Sequence, residues 1–209
     1  MIDARLRANL HGVFARAAEV VDRPRISPDA ITYSGFALGI AAAASAWWRH
    51  WIVALALWLL SRIADGVDGA LARRRIKAGA LKNPAGGYLD IMADFAIYGS
   101  FVVGVAHGAG KSYLPFLFVL LAYYLNGTSF LAFSSIGEKE GIRLDDGRSL
   151  SFIYGLAEAT ETIVVHSAWC LFSASAGTIA SIWAVIVFFS AALRFLHSKR
   201  LLTKSAGIH

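Results

Sequence analysis

The chain has 209 residues, of which 57% are hydrophobic and only 16% are charged, and its mean hydropathy is +0.56. A water-soluble domain carries roughly a quarter charged residues, so this composition excludes an ordinary soluble protein and favours one compact membrane domain. The formal net charge is +6, but the basic residues flank apolar segments and form no continuous stripe, so no nucleic-acid partner is expected.

The first 25 residues are predicted to form a separate interfacial segment. Within residues 2 to 22, apolar side chains recur at helical spacing with arginines between them. Such an amphipathic helix would lie in the headgroup plane, where its basic side chains meet lipid phosphates. An ordinary helix on the protein surface is the alternative. Pro24 and Pro28 are expected to end this helix and to start the next element.

Six apolar segments follow, each close to the ~20 residues that are needed to cross the hydrocarbon core of a bilayer. The predicted spans are 29–49, 51–73, 85–108, 113–134, 150–173 and 177–197. We therefore expect an all-α integral membrane protein, with six transmembrane helices within residues 26–200, the N-terminal interfacial helix before them, and a tail at 201–209.

The distribution of basic residues predicts the orientation of these spans. Of the 20 lysines and arginines, all but Arg49, Arg62 and Lys111 fall in the N-terminal segment, the second and fourth loops, or the C-terminal segment. These regions lie on one side of the predicted bundle, and the positive-inside rule makes that side cytoplasmic. Both termini are therefore expected in the cytoplasm.

Four aspartates interrupt the second and third apolar segments. A carboxylate at membrane depth costs about 2.5–3.5 kcal/mol on insertion scales, and intramembrane ionisable residues indicate a functional site. Asp65 and Asp68 are three residues apart and Asp90 and Asp94 are four apart, so each pair shares one helix face. Clustered carboxylates repel one another unless a cation lies among them, and hard oxygen ligands suit Mg²⁺, Mn²⁺ or Ca²⁺. The pattern therefore predicts a metal site, with two ions as an arrangement typical of phosphoryl chemistry.

Two glycines border these carboxylates. Gly69 and Gly86 carry no side chain, so a ligand could touch the helix backbone beside the aspartates. A role in helix packing is the alternative for Gly69, and packing is the preferred interpretation of Gly66 and of the Gly35-x-x-x-Gly39 pair.

The segments Asp65–Arg73 and Gly86–Asp94 together resemble the signature of the CDP-alcohol phosphotransferases, which reads D-x-x-D-G-x-x-A-R, a spacer, and G-x-x-x-D-x-x-x-D. The chain resembles a less characterised bacterial branch of this family. The spacer between Arg73 and Gly86 holds twelve residues and is longer than in most members. Its extra residues would lie at the membrane surface, where insertions are tolerated.

This resemblance implies a phospholipid-synthesising enzyme that takes a CDP-linked lipid, usually CDP-diacylglycerol, and an acceptor alcohol. It implies a homodimer in the bacterial inner membrane with a cytoplasmic active site. It implies that Asp94 is the general base and that the metal ligands are Asp65, Asp68, Asp90 and Asp94. The CDP pocket would be lined by Asp65, Asp68, Gly69, Ala72, Arg73, Gly86 and Asp90.

The acceptor is less clearly indicated. Glu158 and Glu161 share a face of the fifth span and could contact a polar acceptor, or could form structural pairs with Arg62 or Arg194. Arg143 and Arg148 could hold a phosphorylated acceptor, with solvated loop charges as the alternative. Asn126 and Thr128 favour hydrogen bonding between helices.

Two rival functions remain at this point. Intramembrane carboxylates and six spans also fit a transporter or channel for divalent cations. That reading does not account for Gly69, Ala72 and Arg73 at fixed offsets from the aspartates. A non-catalytic scaffold descended from the enzymes is the other alternative, and the complete set of four aspartates argues against it.

Overall fold

The computed structural model describes residues 2–110, 112–141 and 159–205, and within these residues it contains helices and no strands. The elements are α1 (Ile2–Val21), α2 (Pro28–Trp47), α3 (Trp51–Lys77), α4 (Pro84–Ala109), α5 (Leu114–Lys139), α6 (Ala159–Leu171), a 3₁₀ turn (Ser173–Ser175) and α7 (Ala176–Ser205). The all-α prediction is confirmed for these described ranges.

Local capping signals explain where several helices begin and end. The Ser27 side chain accepts a hydrogen bond from the Ala30 amide at the start of α2, and Asn83 caps α4 by accepting from the Ala85 amide, both at 3.1 Å. A proline follows each cap, where its missing amide proton costs nothing. Gly79 and Gly110 adopt positive φ angles just after α3 and α4, the conformation that ends many helices.

Three helices run past the predicted end of their apolar segment. The span 51–73 belongs to a helix that continues to Lys77, 113–134 to one that ends at Lys139, and 177–197 to one that ends at Ser205. The end of the second predicted span at residue 73 is therefore wrong as a helix end, because α3 continues to Lys77. Hydropathy marks where a segment leaves the hydrocarbon, whereas long basic side chains are good helix formers and prolong the backbone hydrogen bonding.

Four of the described helices are long and apolar enough to cross a membrane. They are Pro28–Trp47, Pro84–Ala109, Leu114–Lys139 and the segment Ser173–Thr203. Many of their large apolar side chains are exposed, for example Val185 at 68% and Leu117 at 56%. Exposed apolar surface on this scale indicates a membrane protein. The helix that contains the predicted span 51–73 is not among these four, and the predicted span 150–173 is described only from residue 159. The count of six stays a prediction.

The packing of α2 organises the part of the bundle that holds the aspartates. The backbone of α2 packs closely on both α3 and α4, whereas α3 and α4 meet mainly through side chains that reach from one helix to the other. A side chain on Gly35 would meet Ala64 of α3, and one on Gly39 would meet Ile97 of α4. These contacts support the packing interpretation of the glycine pair. The region between the backbones of α3 and α4 is called the α3–α4 gap below.

The N-terminal helix α1 docks on the charged end of α3. Its Phe14 ring covers Gly66, and Ala18 is fully buried against Ala70 and Leu71. The chain after α1 is fixed by Asp22, which accepts hydrogen bonds from Arg75 at 3.0 Å and Arg74 at 3.1 Å. Gly66 therefore serves packing, as expected. The interfacial position of α1 stays a prediction.

Replacement of Gly104 by alanine should destabilise the bundle. A Cβ atom there would collide with the Ala43 backbone of α2, so the two helices must move apart, at a cost of about 1–3 kcal/mol. Gly99 is the matched control on the same helix, because a Cβ atom there meets nothing within 4 Å. Thermal unfolding in detergent should show a lower transition for Gly104→Ala than for Gly99→Ala. Equal transitions would contradict the close α2–α4 packing.

Loss of the Asp22 carboxylate should loosen α1. The hydrogen bond from Arg75 holds the pKa of Asp22 below its ordinary value. The contribution of the ionised Asp22 carboxylate to the docking of α1 is therefore complete at neutral pH. It is lost as the pH falls through that lowered pKa. Asp22→Asn should speed amide hydrogen exchange in the last two turns of α1 at neutral pH.

Glu19→Gln is the matched control, because Glu19 is more exposed and lies 3.5 Å from Arg74. Its exchange profile should match that of the unmodified chain, since exposed ion pairs contribute little. If the two variants exchange equally fast, Asp22 has no special part in holding α1.

Candidate active site

Three of the four predicted aspartates meet in the α3–α4 gap. Asp65 and Asp68 of α3 and Asp90 of α4 each place one carboxylate oxygen within 4.8 Å of the other two. Asp68 is buried, at 4% exposure, and the other two are half-buried. We call these three residues the carboxylate cluster. Because like charges at this separation repel, the cluster is suited to a divalent cation with oxygen ligands.

A hydroxyl from α2 orients the buried member of this cluster. The Thr32 side chain donates a hydrogen bond to Oδ2 of Asp68 at 2.6 Å, and Thr32 is itself buried. Such a bond fixes the carboxylate rotamer and leaves the other oxygen for a ligand. Thr32 was not identified from the sequence. The available signal was a polar residue one turn into a largely apolar helix.

Asp94 lies one turn beyond Asp90 on α4 and is not a member of the cluster. Its Oδ1 instead accepts a hydrogen bond from the Arg62 guanidinium at 2.6 Å. The structure therefore gathers three carboxylates and gives the fourth a basic partner across the same gap. Arg62 was considered as a partner for Glu158 or Glu161, and its described ion pair is with Asp94.

Arg73 folds back over Gly69, the glycine next to Asp68. A Cβ atom on Gly69 would lie 3.2 Å from Nη1 of Arg73, so the absence of a side chain leaves room for the guanidinium beside the helix backbone. Arg73 is exposed and Ala72 is half-buried. A cation thus lies one turn from the carboxylate cluster, where it can meet a phosphate.

Gly86 lies where the first turns of α2 and α4 meet. A Cβ atom there would come within 2.9 Å of Oδ1 of Asp29 and 3.2 Å of Nδ2 of Asn83. Asn83 also donates a hydrogen bond to Oδ2 of Asp29 at 3.4 Å. Asp29 is a second polar residue that the sequence did not single out. Its proximity to Gly86 spans 57 positions along the chain and depends on the tertiary fold.

The residues considered for the acceptor are only partly described. Glu161 is half-buried in the first turn of α6. Arg143, Arg148 and Glu158 lie outside the described residues. Further along, Arg194 of α7 is buried at 4% exposure and lies over the Phe130 ring of α5, with its guanidinium carbon 5.6 Å from the ring centroid.

A separate cavity of about 720 Å³ lies between α2, α4 and α5. Its walls are mostly apolar and include Trp47, Phe95, Val103 and Leu120. None of the residues that line it belongs to the carboxylate cluster. The cavity is therefore distinct from the place where the ionisable groups converge.

Comparison with known proteins identifies the family. The family model for the CDP-alcohol phosphatidyltransferases matches residues 25–189. The inner membrane protein YnjF of Escherichia coli K12 is 37% identical over 177 residues, which cover 83% of this chain and 84% of that protein. The archaetidylinositol phosphate synthase of Methanothermobacter thermautotrophicus is 34% identical over 101 residues, covering 48% of this chain and 50% of that enzyme.

The fold is also shared with solved structures. Mycobacterium tuberculosis phosphatidylinositol phosphate synthase (PgsA1) with CDP-DAG bound superposes with a TM-score of 0.68 at 17% identity, covering 89% of this chain and 92% of that one. The same protein in complex with manganese and citrate gives a TM-score of 0.67 at 18% identity, covering 88% of each chain. The sequence signature, the matched family model and the shared helical fold agree, and the chain belongs to the CDP-alcohol phosphatidyltransferase family.

Proposed function

We propose that this membrane transferase moves a phosphatidyl-type group from a CDP-alcohol, in the first place CDP-diacylglycerol, to the hydroxyl of an acceptor alcohol and releases CMP. The observation that carries the proposal is the carboxylate cluster in the α3–α4 gap with Arg73 one turn away. That arrangement combines a site for divalent metal with a cation for a phosphate. The CDP-DAG complex of the M. tuberculosis enzyme, which has the same fold, supports this donor.

The donor set of the cluster fits Mg²⁺ or Mn²⁺. Asp65, Asp68 and Asp90 offer hard oxygen atoms from two helices, and Thr32 orients the buried one. With Asp94 as the fourth carboxylate, the site would hold two ions. Bound metal would offset the charge of the diphosphate and stabilise CMP as it leaves. The manganese complex of the M. tuberculosis protein supports use of a divalent ion.

The remaining signature residues would bind the nucleotide. Gly69 and Gly86 would let a ligand approach the helix backbone, beside the polar side chains that lie next to both glycines. Ala72 would keep the same face of α3 small. The planar guanidinium of Arg73 suits a phosphate oxygen pair. The CDP pocket is therefore assigned to Asp65, Asp68, Gly69, Ala72, Arg73, Gly86 and Asp90.

We assign to Asp94 the role of general base. It would accept the proton of the acceptor hydroxyl as that oxygen attacks the β-phosphorus of the CDP-alcohol. The new phosphorus–oxygen bond forms as the bond to the CMP oxygen breaks, and no covalent enzyme intermediate is needed. Acceptor contacts are assigned to Glu158, Glu161, Arg143 and Arg148.

The proposed setting is the bacterial inner membrane. The interfacial helix (1–25) would precede a six-helix catalytic domain (26–200) and a cytoplasmic tail (201–209). Both termini and the active site would face the cytoplasm, and two chains would form a homodimer. The basic side chains at the end of α3, Arg74 and Arg75, favour that end as cytoplasmic.

Family membership decides against the cation transporter that the carboxylates alone left open, because the family consists of transferases of substituted phosphate groups. The position of Arg73 over Gly69 agrees with this decision. A guanidinium one turn from the ligands contributes nothing to a site that binds only metal ions, whereas it can donate hydrogen bonds to a diphosphate.

CMP release by the purified protein tests the proposed reaction. CDP-diacylglycerol and Mn²⁺ would be supplied with one acceptor at a time: glycerol 3-phosphate, inositol phosphate, inositol, serine, choline or phosphatidylglycerol. We expect CMP release that depends on one acceptor and that falls by at least about 100-fold in Asp94→Asn. Release that persists in this variant would remove Asp94 from the proton transfer. No release with any acceptor, and no CDP-diacylglycerol binding, would contradict the proposed function.

Removal of the Thr32 hydroxyl should weaken metal binding without abolishing it. Thr32→Val keeps the shape but leaves Asp68 without its hydrogen bond, and loss of such a supporting contact costs about 10–100-fold in metal affinity. Mn²⁺ titration followed by electron paramagnetic resonance measures this change. Asp68→Asn should lower the affinity for Mn²⁺ more than Thr32→Val does.

Ser34→Ala is the matched control on α2, because the Ser34 hydroxyl is exposed and donates to the Ala30 carbonyl of its own helix. It should bind Mn²⁺ like the unmodified protein. Equal affinity in Thr32→Val and Ser34→Ala would mean that Thr32 does not orient a metal ligand.

A further inference from the structure

Arg49 stands where a helix end ordinarily has glycine. Just after α2, the Arg49 amide donates to the Ala46 carbonyl at 3.0 Å, and the next amide, that of His50, donates to the Ser45 carbonyl at 2.8 Å. This pair of bonds needs a left-handed residue, and Arg49 adopts a φ of 64°. The other described residues with positive φ are glycines that follow helices: Gly79, Gly110 and Gly141. An arginine in a conformation that favours glycine indicates that its side chain has a use.

The guanidinium of Arg49 has no acidic neighbour. It lies over Gly110, where a Cβ atom would come within 2.6 Å of its Nη2. Within the described part of the chain, this guanidinium has no hydrogen-bond or ion-pair partner. The sequence has no aspartate or glutamate in the segments that include this end of the bundle, 30–64, 95–137 and 162–209. A second copy in the same orientation would therefore bring no carboxylate to Arg49, so its anion must come from outside the protein.

An apolar groove leads from this cation toward the middle of the membrane. It is the cavity of about 720 Å³ between α2, α4 and α5, which begins at Trp47 and Trp48, beside Arg49, and extends to Phe95. The part of α4 from Phe95 to Gly104 that lines it is about 14 Å long, close to the ~15 Å depth of one leaflet of the hydrocarbon core. The length of the groove therefore suits a single acyl chain.

Aromatic side chains lie at the mouth of the apolar groove. Trp47 stacks on His107 with ring centroids 3.7 Å apart, and the Tyr113 hydroxyl lies 3.4 Å from Nδ1 of His107. Trp48 is 72% exposed. Tryptophan and tyrosine are enriched at the level of the lipid headgroups. Trp47 is about 22 Å along α2 from Thr32, so this mouth lies at the opposite end of the bundle from the carboxylate cluster.

We propose that Arg49 and the apolar groove bind one phospholipid with an anionic headgroup, in the leaflet opposite the candidate active site. The lipid phosphate contacts the Arg49 guanidinium, and one acyl chain lies in the groove against Val103 and Leu120. This site shares no residue with the carboxylate cluster and does not depend on the proposed reaction. A lipid bound there stabilises the bundle, because it covers apolar surface of three helices at once.

Photolabelling of the full chain in nanodiscs tests this site. The nanodiscs contain phosphatidylcholine and a small fraction of phosphatidylglycerol that carries a diazirine midway along one acyl chain. We expect adducts concentrated on groove residues such as Ile40, Ala96 and Val103. Unlabelled phosphatidylglycerol should compete at least about fivefold better than phosphatidylcholine. Adducts spread evenly over exposed apolar residues outside the groove, such as Leu117 and Val185, would overturn the proposal.

Arg49→Gly removes the cation and suits the backbone. Glycine adopts a left-handed φ without strain, so the thermal transition in phosphatidylcholine alone should be no lower than that of the unmodified protein. Groove labelling by the phosphatidylglycerol probe should fall about fivefold, and labelling by a phosphatidylcholine probe with the same diazirine should not change. Unchanged phosphatidylglycerol labelling would overturn the proposal. So would a lower transition in phosphatidylcholine, because the arginine would then serve the fold.

Gly99→Leu tests the groove without changing charge. A Cβ atom at Gly99 meets nothing within 4 Å, so a leucine side chain has room to occupy the groove itself. Both probes should lose most of their groove adducts in this variant. Gly177→Leu is the matched control, because Gly177 also has open space around its Cβ position but lies outside the groove. Its labelling should equal that of the unmodified protein, and equal losses in the two variants would contradict a site in the groove.

Lys82→Gly is the control for net charge. Lys82 is exposed at the end of the bundle that holds the carboxylate cluster, and its removal should leave groove labelling unchanged. An equal fall in Lys82→Gly and Arg49→Gly would mean that the total charge of the protein attracts the probe, and this would overturn the proposal. Absence of groove adducts, together with cross-links between two chains through Gly99→Cys, would place a second copy on the groove and would overturn it as well.

Discussion

The need to balance carboxylates away from bulk water shapes this molecule more than any other constraint. Asp65, Asp68 and Asp90 bring oxygen atoms within 4.8 Å of one another, an arrangement that repels itself unless cations and hydrogen-bond donors compensate it. The chain supplies part of that compensation. Thr32 donates to Asp68, Arg62 pairs with Asp94, and Arg73 lies over Gly69 one turn away. A divalent metal would offset the remaining negative charge, and the anionic diphosphate would then bind to that metal.

The architecture serves this constraint through α2. Because the backbones of α3 and α4 each pack on α2, the carboxylate cluster lies between them, where we propose that the ions and the nucleotide bind. Close approach by small residues, such as Gly35 against Ala64, makes α2 a narrow spacer. The same helix contributes Thr32 to the site and the Gly35 carbonyl that anchors Ser61. Packing and chemistry therefore depend on the same face of one helix.

Sequence reasoning succeeded where the information is local. Carboxylates three or four residues apart within apolar segments predict that each pair shares one helix face. The structure clusters Asp65, Asp68 and Asp90, whereas Asp94 lies outside that cluster and the function of the site stays a prediction. Sequence reasoning failed where the information is tertiary. The Thr32–Asp68 and Arg62–Asp94 contacts join residues 36 and 32 positions apart, and no periodicity encodes them. The predicted spans ended too early, because α3 continues to Lys77 and α5 continues to Lys139. Hydropathy reports burial and not the backbone hydrogen bonding that defines a helix end.

The central claim is that the carboxylate cluster brings a divalent ion and the diphosphate of a CDP-linked lipid into direct contact. Electron–nuclear double resonance on the protein in lipid nanodiscs, with bound Mn²⁺ and CDP-diacylglycerol, measures that contact directly. The account predicts phosphorus-31 hyperfine coupling to the protein-bound Mn²⁺, present with the nucleotide lipid and lost in Asp68→Asn. Bound Mn²⁺ with saturating CDP-diacylglycerol and no phosphorus coupling would contradict it.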